Sequence, residues 1–291
     1  MTSEDLPLEI GALLASLTER TPSNDASTVL GAALAARPAA PLQSPAADDE
    51  TAAFARAVGD VERTLALLTA EDWNRPAVNG LTVGELVGHL IGTQLSMVAE
   101  FGLDVQTATS AETSSDHIES TRDAITAGSR QSPAEAATEF GRVSNLLTTH
   151  FASLDAQGLA AQSRFGSIVA DVRFLLLVRV FELWTHDNDL RRAAGLDRVE
   201  PDPDRLWMMT RAVMPLVDQL GGTHLRIVLT GAGGGVWPAQ GEEIAEVAVD
   251  AVAFCRRVAN RLPVDRLNAD ISGDVAAANK TLDDLATLAI D

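Results

Sequence analysis

The segment RFLLLVRVFELW, residues 173–184, lies inside a helix-forming stretch that runs from about Ser167 to Ala194. Its apolar residues cover most of the helix circumference rather than one stripe, so no face of it can be left to water. Such a helix must sit at the centre of a packed set, and other helices must surround it. Arg191 and Arg192 in its last turn and Gly195 just beyond supply a C-terminal stop.

The surrounding helices are legible upstream. Phe54, Val58, Val61, Leu65 and Leu68 recur by four and three, giving one apolar stripe. A loop with Trp73, Pro76 and Gly80 leads to Thr82 and Glu85, a T-x-x-E capping box. That box opens a helix carrying Leu86, His89, Leu90, Thr93 and Met97. A polar stretch over 104–131 reads as a long connection suited to a lid. Ser132, Pro133 and Glu135 start the next helix, whose stripe is Phe140, Val143, Leu147 and Leu154. Residues 49–200 thus read as a four-helix bundle.

After Pro201 and Pro203 the pattern changes. A helix through Leu206, Met209, Val213 and Leu216 leads to LRIVLTGAGGGVWPA, which reads as two strands about a glycine turn. Asp250 can cap a helix through Val252, Phe254, Cys255, Val258 and Ala259; a strand LNADIS and a helix through Ala277, Leu282 and Leu285 follow. Residues 201–291 therefore read as a small α+β domain, and the fold class as mainly α. Residues 1–48 stand apart. Leu6, Ile10, Leu13, Leu14 and Leu17 suggest a short helix, and Val29, Leu30, Ala33 and Leu34 a second apolar group. Pro38, Pro41 and Pro45 then mark a linker. This extension is either a loosely packed tail or a helix that engages a protein partner.

Charge and cysteine content narrow the function classes. Lys and Arg number 22 against 41 Asp and Glu, a net charge of −19. That charge repels phosphate backbones and anionic lipid, which argues against nucleic acid and membrane surfaces as partners. No stretch reaches the roughly 18 uncharged apolar residues of a membrane span. The first residues have acidic flanks where a secretory signal is basic, so they read as part of the mature chain. Cys255 is the one cysteine, which excludes an intrachain disulfide and points to a reducing, cytoplasmic compartment.

Three residues carry the chemistry. Glu182 and His186 stand four apart on the central helix, so a carboxylate and an imidazole lie one above the other. Burying an ionised Glu without a partner costs several kcal/mol, and a metal ion would stabilise it while accepting a neutral nitrogen of His186. His89 lies on the inward stripe of the second helix and completes a His2Glu set, the ligand pattern of a catalytic zinc site with one open position. The plainer readings are a surface Glu–His pair worth a few tenths of a kcal/mol, and a core histidine bonded to a carbonyl.

Other residues offer less. Asp187 and Arg191 read as a solvated pair, and Asp189 as a residue that could orient a ligand. Cys255 reads as a small buried hydrophobe, GAGGG as a hairpin turn, and His117, His150 and His224 as residues without a site role. Arg261, before Pro263, is by position either an ordinary C-terminal charge or a clamp for a carboxylate.

The segments GLTVGELVGHL around His89 and FELWTHDNDLRRAAG around Glu182 and His186 resemble those of mycothiol-dependent maleylpyruvate isomerase-like proteins. The C-terminal VAFCRRVANRLPVDRLNADISGD is similar to the end of that family's second domain. The resemblance covers about 50–291. It implies a DinB-like four-helix bundle followed by a sterol-carrier-like α+β domain, with His89, Glu182 and His186 as metal ligands and Asp189 as the trailing acid. It further implies that Arg261 serves at the active site and that mycothiol is the cosubstrate.

The expected activity is a divalent-metal enzyme, zinc first. It would use a low-molecular-weight thiol to isomerise, or to transfer sulfur to, a small electrophilic, carboxylate-bearing molecule. A free thiol has a pKa of ~8.5, and coordination to Zn2+ makes it a thiolate that can add to an activated double bond. The alternatives are a metal-dependent hydrolase on the same ligands, or a non-catalytic binding or regulatory module that keeps the bundle.

Overall fold

A computed structural model describes residues 49–103, 121–165 and 168–289, all belonging to one compact unit, Ala46–Asp291. The helix and proline-rich linker expected over 1–48, and positions 104–120 of the expected polar connection with His117, lie outside the described residues.

Four long helices form the expected bundle: α1 (Glu50–Leu65), α2 (Val83–Glu100), α4 (Pro133–Ala152) and α6 (Val172–Ala193), with a short helix α3 (Arg122–Gly128) laid against α2. Each long helix starts where its sequence satisfies the first free N–H groups. Asp49 accepts from Ala52 N, and Asp171 from Phe174 N. Thr82 with Glu85 and Ser132 with Glu135 close complete capping boxes. Phe54, Val58, Val61 and Leu65 of α1, Phe140, Val143 and Leu147 of α4, and Leu175, Leu176, Val180 and Leu183 of α6 are buried together. The central helix is thus enclosed as its composition requires.

The structure adds elements that the sequence reading missed. The loop expected at Trp73–Gly80 contains a hairpin, β1 (Pro76–Val78) and β2 (Leu81–Thr82), closed by Asn79 and Gly80 at φ 52° and 80°. These left-handed conformations suit Asn-Gly in a two-residue turn. Helix α6 begins at Val172, not near Ser167: a second hairpin, β3 (Gln162–Phe165) with β4 (Ile168–Asp171), precedes it. The β-branched pair Ile168–Val169 favours the strand, and Asp171 is the cap. Helix α3 falls in the segment read as a connection, and the one-turn helix α5 (Ala156–Leu159) in a stretch to which no element was assigned.

Helix α7 (Pro203–Gln219) packs on α6 and leads into a four-stranded sheet of order β6-β5-β7-β8. Its strands are β5 (Leu225–Thr230), β6 (Gly235–Trp237), β7 (Ala245–Asp250) and β8 (Ala269–Gly273). The β5–β6 hairpin around the glycines is as expected; β7, parallel to β5, was missed. Leu225, Ile227 and Leu229 of β5 and Ala245, Val247 and Val249 of β7 alternate into the core, covered by α8 (Ala251–Val258) and α9 (Val275–Asp284). Among the described residues, no helix is long and apolar enough to cross a membrane.

Candidate metal centre

One turn of α2 and two turns of α6 bring His89, Glu182 and His186 together, each buried, with one donor atom apiece lying within 4.8 Å of the others. Nε2 of His89 stands 3.4 Å from Oε1 of Glu182. The two imidazoles meet edge to face, centroids 5.4 Å apart. A tetrahedral ion with bonds of ~2.0–2.1 Å has ligand–ligand edges of roughly 3.4 Å, so the His89–Glu182 edge matches that of a small divalent cation.

Both rings are tethered from outside the cluster. Nδ1 of His89 lies 3.0 Å from Oγ1 of Thr121, at the start of α3. Nδ1 of His186 lies 3.3 Å from Oδ2 of Asp189. With each Nδ1 held on an oxygen, the nitrogen left for the cluster is Nε2 in both cases. That is the outer-shell pattern that fixes ring orientation in histidine–metal sites. The donor set therefore fits the cation that the sequence implied.

Glu182 has a second neighbour that sequence reasoning missed. Arg179, one turn earlier on α6 and fully buried, places Nη1 2.7 Å from Oε2 of Glu182, and its Nη2 donates to the Leu90 carbonyl at 3.2 Å. The burial of Glu182 is thus already balanced by a guanidinium, and the argument that a metal must be present to stabilise it does not hold. What favours a cation is the convergence of two imidazoles and a carboxylate, with Nε2 of His89 on the other carboxylate oxygen. An arginine three residues before a glutamate inside an apolar helix was the available signal.

Asp189 is the hub of the outer ring. Arg261 donates from Nε to Oδ1 and Oδ2 at 3.1 and 3.0 Å and from Nη2 to Oδ2 at 2.9 Å. Arg192 adds a contact to Oδ1 at 3.3 Å. Burial pushes the Asp189 carboxyl up, but hydrogen bonds from His186 and Arg261 and their charge hold it below the usual value. In this structure the carboxylate that Arg261 meets is the chain's own Asp189. Asp187, read as half of a solvated pair with Arg191, is instead buried; burial pushes its carboxyl up to about 6 although Arg191 Nε donates at 3.1 Å. Cys255 is buried as expected, and burial pushes its thiol up, away from thiolate chemistry.

Two cavities adjoin the centre. One, of about 80 Å3, runs along α6 from Phe174 past Val178 and Phe181 to Glu182 and His186. The other, of about 200 Å3, is polar: Asp189 and Asn188 share it with Arg192, Arg198, Arg256 and Arg261, beside Trp184. Thr185 and Ala259 line both.

Residues 54–191 match the family model described as the mycothiol maleylpyruvate isomerase N-terminal domain. Over those residues the bundle is similar to that family's N-terminal domain. Among solved structures, one titled as the mycothiol-dependent maleylpyruvate isomerase aligns with a TM-score of 0.53 at 17% identity, covering 78% of this chain and 93% of that one. A histidine-to-alanine mutant of that enzyme aligns at 0.52 with the same identity and coverage. At that identity the likeness carries the fold, bundle and α+β part together. No curated protein matches the chain.

In this bundle the approach of α3 to α2 depends on Gly88 and Gly92, while Gly84, one turn earlier on the same face, makes room for the Trp73 ring. A Cβ at Gly88 would stand 2.3 Å from the Ala124 carbonyl oxygen, and one at Gly128 2.4 Å from that of Gly84. Backbone contact at that range is what places Thr121 on His89. The glycine spacing was visible in GLTVGELVGHLIG, and it was the signal for a helix packed there.

Proposed function

We propose that the chain is a divalent-metal-dependent, thiol-using isomerase or S-transferase acting on a small electrophile, with His89, Glu182 and His186 as ligands and mycothiol as the thiol. The observation that carries this reading is the convergence of the three donors with both outer imidazole nitrogens tethered. The name of the family adds support for the thiol and for isomerisation. Two nitrogens and one carboxylate oxygen suit Zn2+ and leave a position open. A cation so held supplies acidity, turning a thiol of pKa ~8.5 into a thiolate at neutral pH.

The protein's own groups do the rest. Thr121 and Asp189 keep each imidazole in the tautomer that presents Nε2, and Arg179 holds Oε2 of Glu182 so that Oε1 faces the histidines. Arg261 acts as a positioning residue: its charge and hydrogen bonds keep Asp189 ionised as the acceptor for His186. The polar cavity, with Asn188, Trp184 and four arginines, suits the hydroxyl-rich body of a thiol such as mycothiol.

Elemental analysis of the purified chain beside His89→Ala, Glu182→Ala and His186→Ala tests the centre. Stoichiometric metal in the wild type and none in the variants is the expected result; equal metal in all four removes the site. Turnover with and without added mycothiol separates thiol chemistry from a metal-dependent hydrolase, which needs none.

A further inference from the structure

We infer that the cavity running from Phe174 to His186 receives a neutral substrate with an apolar body of about six heavy atoms, its reactive end against Glu182 and His186. This deepens the thiol-dependent reading above and rests on it for the chemistry, though not for the binding. Eleven of the fourteen described lining residues are apolar, among them Phe174, Phe181, Val213, Leu216, Val258 and Leu288. The polar ones, Glu182, Thr185 and His186, gather at one end of α6's face. Polarity therefore rises along the cavity towards the donors, which fixes the direction in which an amphipathic ligand enters. At ~10–15 Å3 per water-sized body, a cavity of about 80 Å3 encloses roughly six such bodies.

Charge decides the class of ligand. No Lys or Arg stands among the described lining residues, and Glu182 contributes a negative charge. Arg179 is engaged with Glu182, and Arg261 borders the polar cavity on Asp189. Away from the Glu182–His186 end, where a cation would sit, a carboxylate in the apolar cavity would be desolvated with no described lining cation to meet it, which is strongly unfavourable. A carboxylate on the body of the substrate does not suit this cavity; an electrophile whose body is an alkyl or aryl group does.

The test uses straight-chain primary alcohols from propanol to octanol and the carboxylates of matching length, with binding followed by ligand-observed NMR. It is run on the as-purified full-length chain and on the same preparation after chelation, with metal content assayed in both. Affinity for the alcohols is expected to rise about fourfold per added methylene and to level off near six carbons. In the chelated sample each carboxylate should bind at least tenfold more weakly than its alcohol. Leu216, half-buried in the lining, gives two variants: Leu216→Trp should abolish the chain-length dependence, and Leu216→Lys should bring the carboxylates level with the alcohols or ahead. Circular dichroism establishes that each variant is folded. A flat alcohol series, or carboxylates binding as well as alcohols to the chelated wild type, overturns the assignment. A rising series in an as-purified chain found to hold no metal upholds the cavity and counts against the metal reading alone.

Discussion

Replacing Arg179 by Met removes the guanidinium from beside Glu182 while filling most of its volume. The pair is 2.7 Å apart and buried, so its gross attraction at an effective dielectric of ~20 is about 6 kcal/mol. Much of that only offsets desolvation, and the measured cost of stranding one partner of a buried pair is about 3–5 kcal/mol. For a folded unit of this size that corresponds to a fall in Tm of roughly 10 °C. The expected loss is therefore large in chelated protein, read by urea unfolding through tryptophan fluorescence. It should shrink when Zn2+ is added, because a cation on Oε1 also compensates the stranded carboxylate. Glu182→Gln should cost a similar amount by stranding Arg179. The double variant should be destabilised by at least about 3 kcal/mol less than the sum of the singles, because neither charge is then left alone. Costs that simply add, or an Arg179→Met penalty below about 1 kcal/mol, would refute the claim that these groups neutralise each other.

Asp189→Asn should weaken metal binding by about 10–100-fold in competition with a chromophoric chelator, since His186 loses its anionic acceptor. Arg261→Ala should act in the same direction, and Arg261→Lys should not rescue it, because an ammonium cannot reproduce the guanidinium fork on Asp189. Gly88→Ala should cost about 1–2 kcal/mol, the overpacking against the Ala124 carbonyl exceeding the gain in helix propensity, and should weaken metal binding by shifting Thr121 from His89. For Asp72, hydrogen bonds from the Thr69 hydroxyl (2.7 Å) and N–H (2.9 Å) hold the carboxyl below its ordinary value of 3.8. A depressed folded-state pKa stabilises above 3.8 and is lost as pH falls through the folded value, so Asp72→Asn should lower Tm at pH 5–7 and converge on wild type below pH 3.8.

The bundle was legible because its signals are local. Capping boxes at Thr82 and Ser132 and four-and-three stripes on α1 and α4 each need only neighbours along the chain to be read. Strand β7 was not legible in the same way: Ala245, Val247 and Val249 alternate, but what holds them is parallel pairing with β5, across an intervening hairpin strand. Asn79-Gly80 was a local signal overlooked, since its strands are only three and two residues long. At the centre, the ligand types and their i,i+4 spacing on α6 were readable. The tethers were not, because Thr121 and Arg261 reach His89 and Asp189 from 32 and 72 residues away.

The environment of the two histidines also explains why sequence reasoning overstated the need for a metal. Glu182 is matched by Arg179, and Asp189 by Arg261 with Arg192, so each buried carboxylate already has a cation of its own. The imidazoles stand between these two pairs, each with its Nδ1 within hydrogen-bond distance of a side-chain oxygen. A cluster balanced in this way can be held by the fold alone, with its Nε2 atoms oriented before any ion arrives. Orientation of that kind lowers the reorganisation needed on binding, and it comes from residues on α3, α6 and the segment after α8 rather than from the ligands themselves. The same arrangement separates the surroundings of His186 into an arginine-lined side and an apolar side, with Thr185 and Ala259 between them. On the function proposed above, two reactants of opposite character, a hydroxyl-rich thiol and an apolar electrophile, would approach one centre without competing for the same surface.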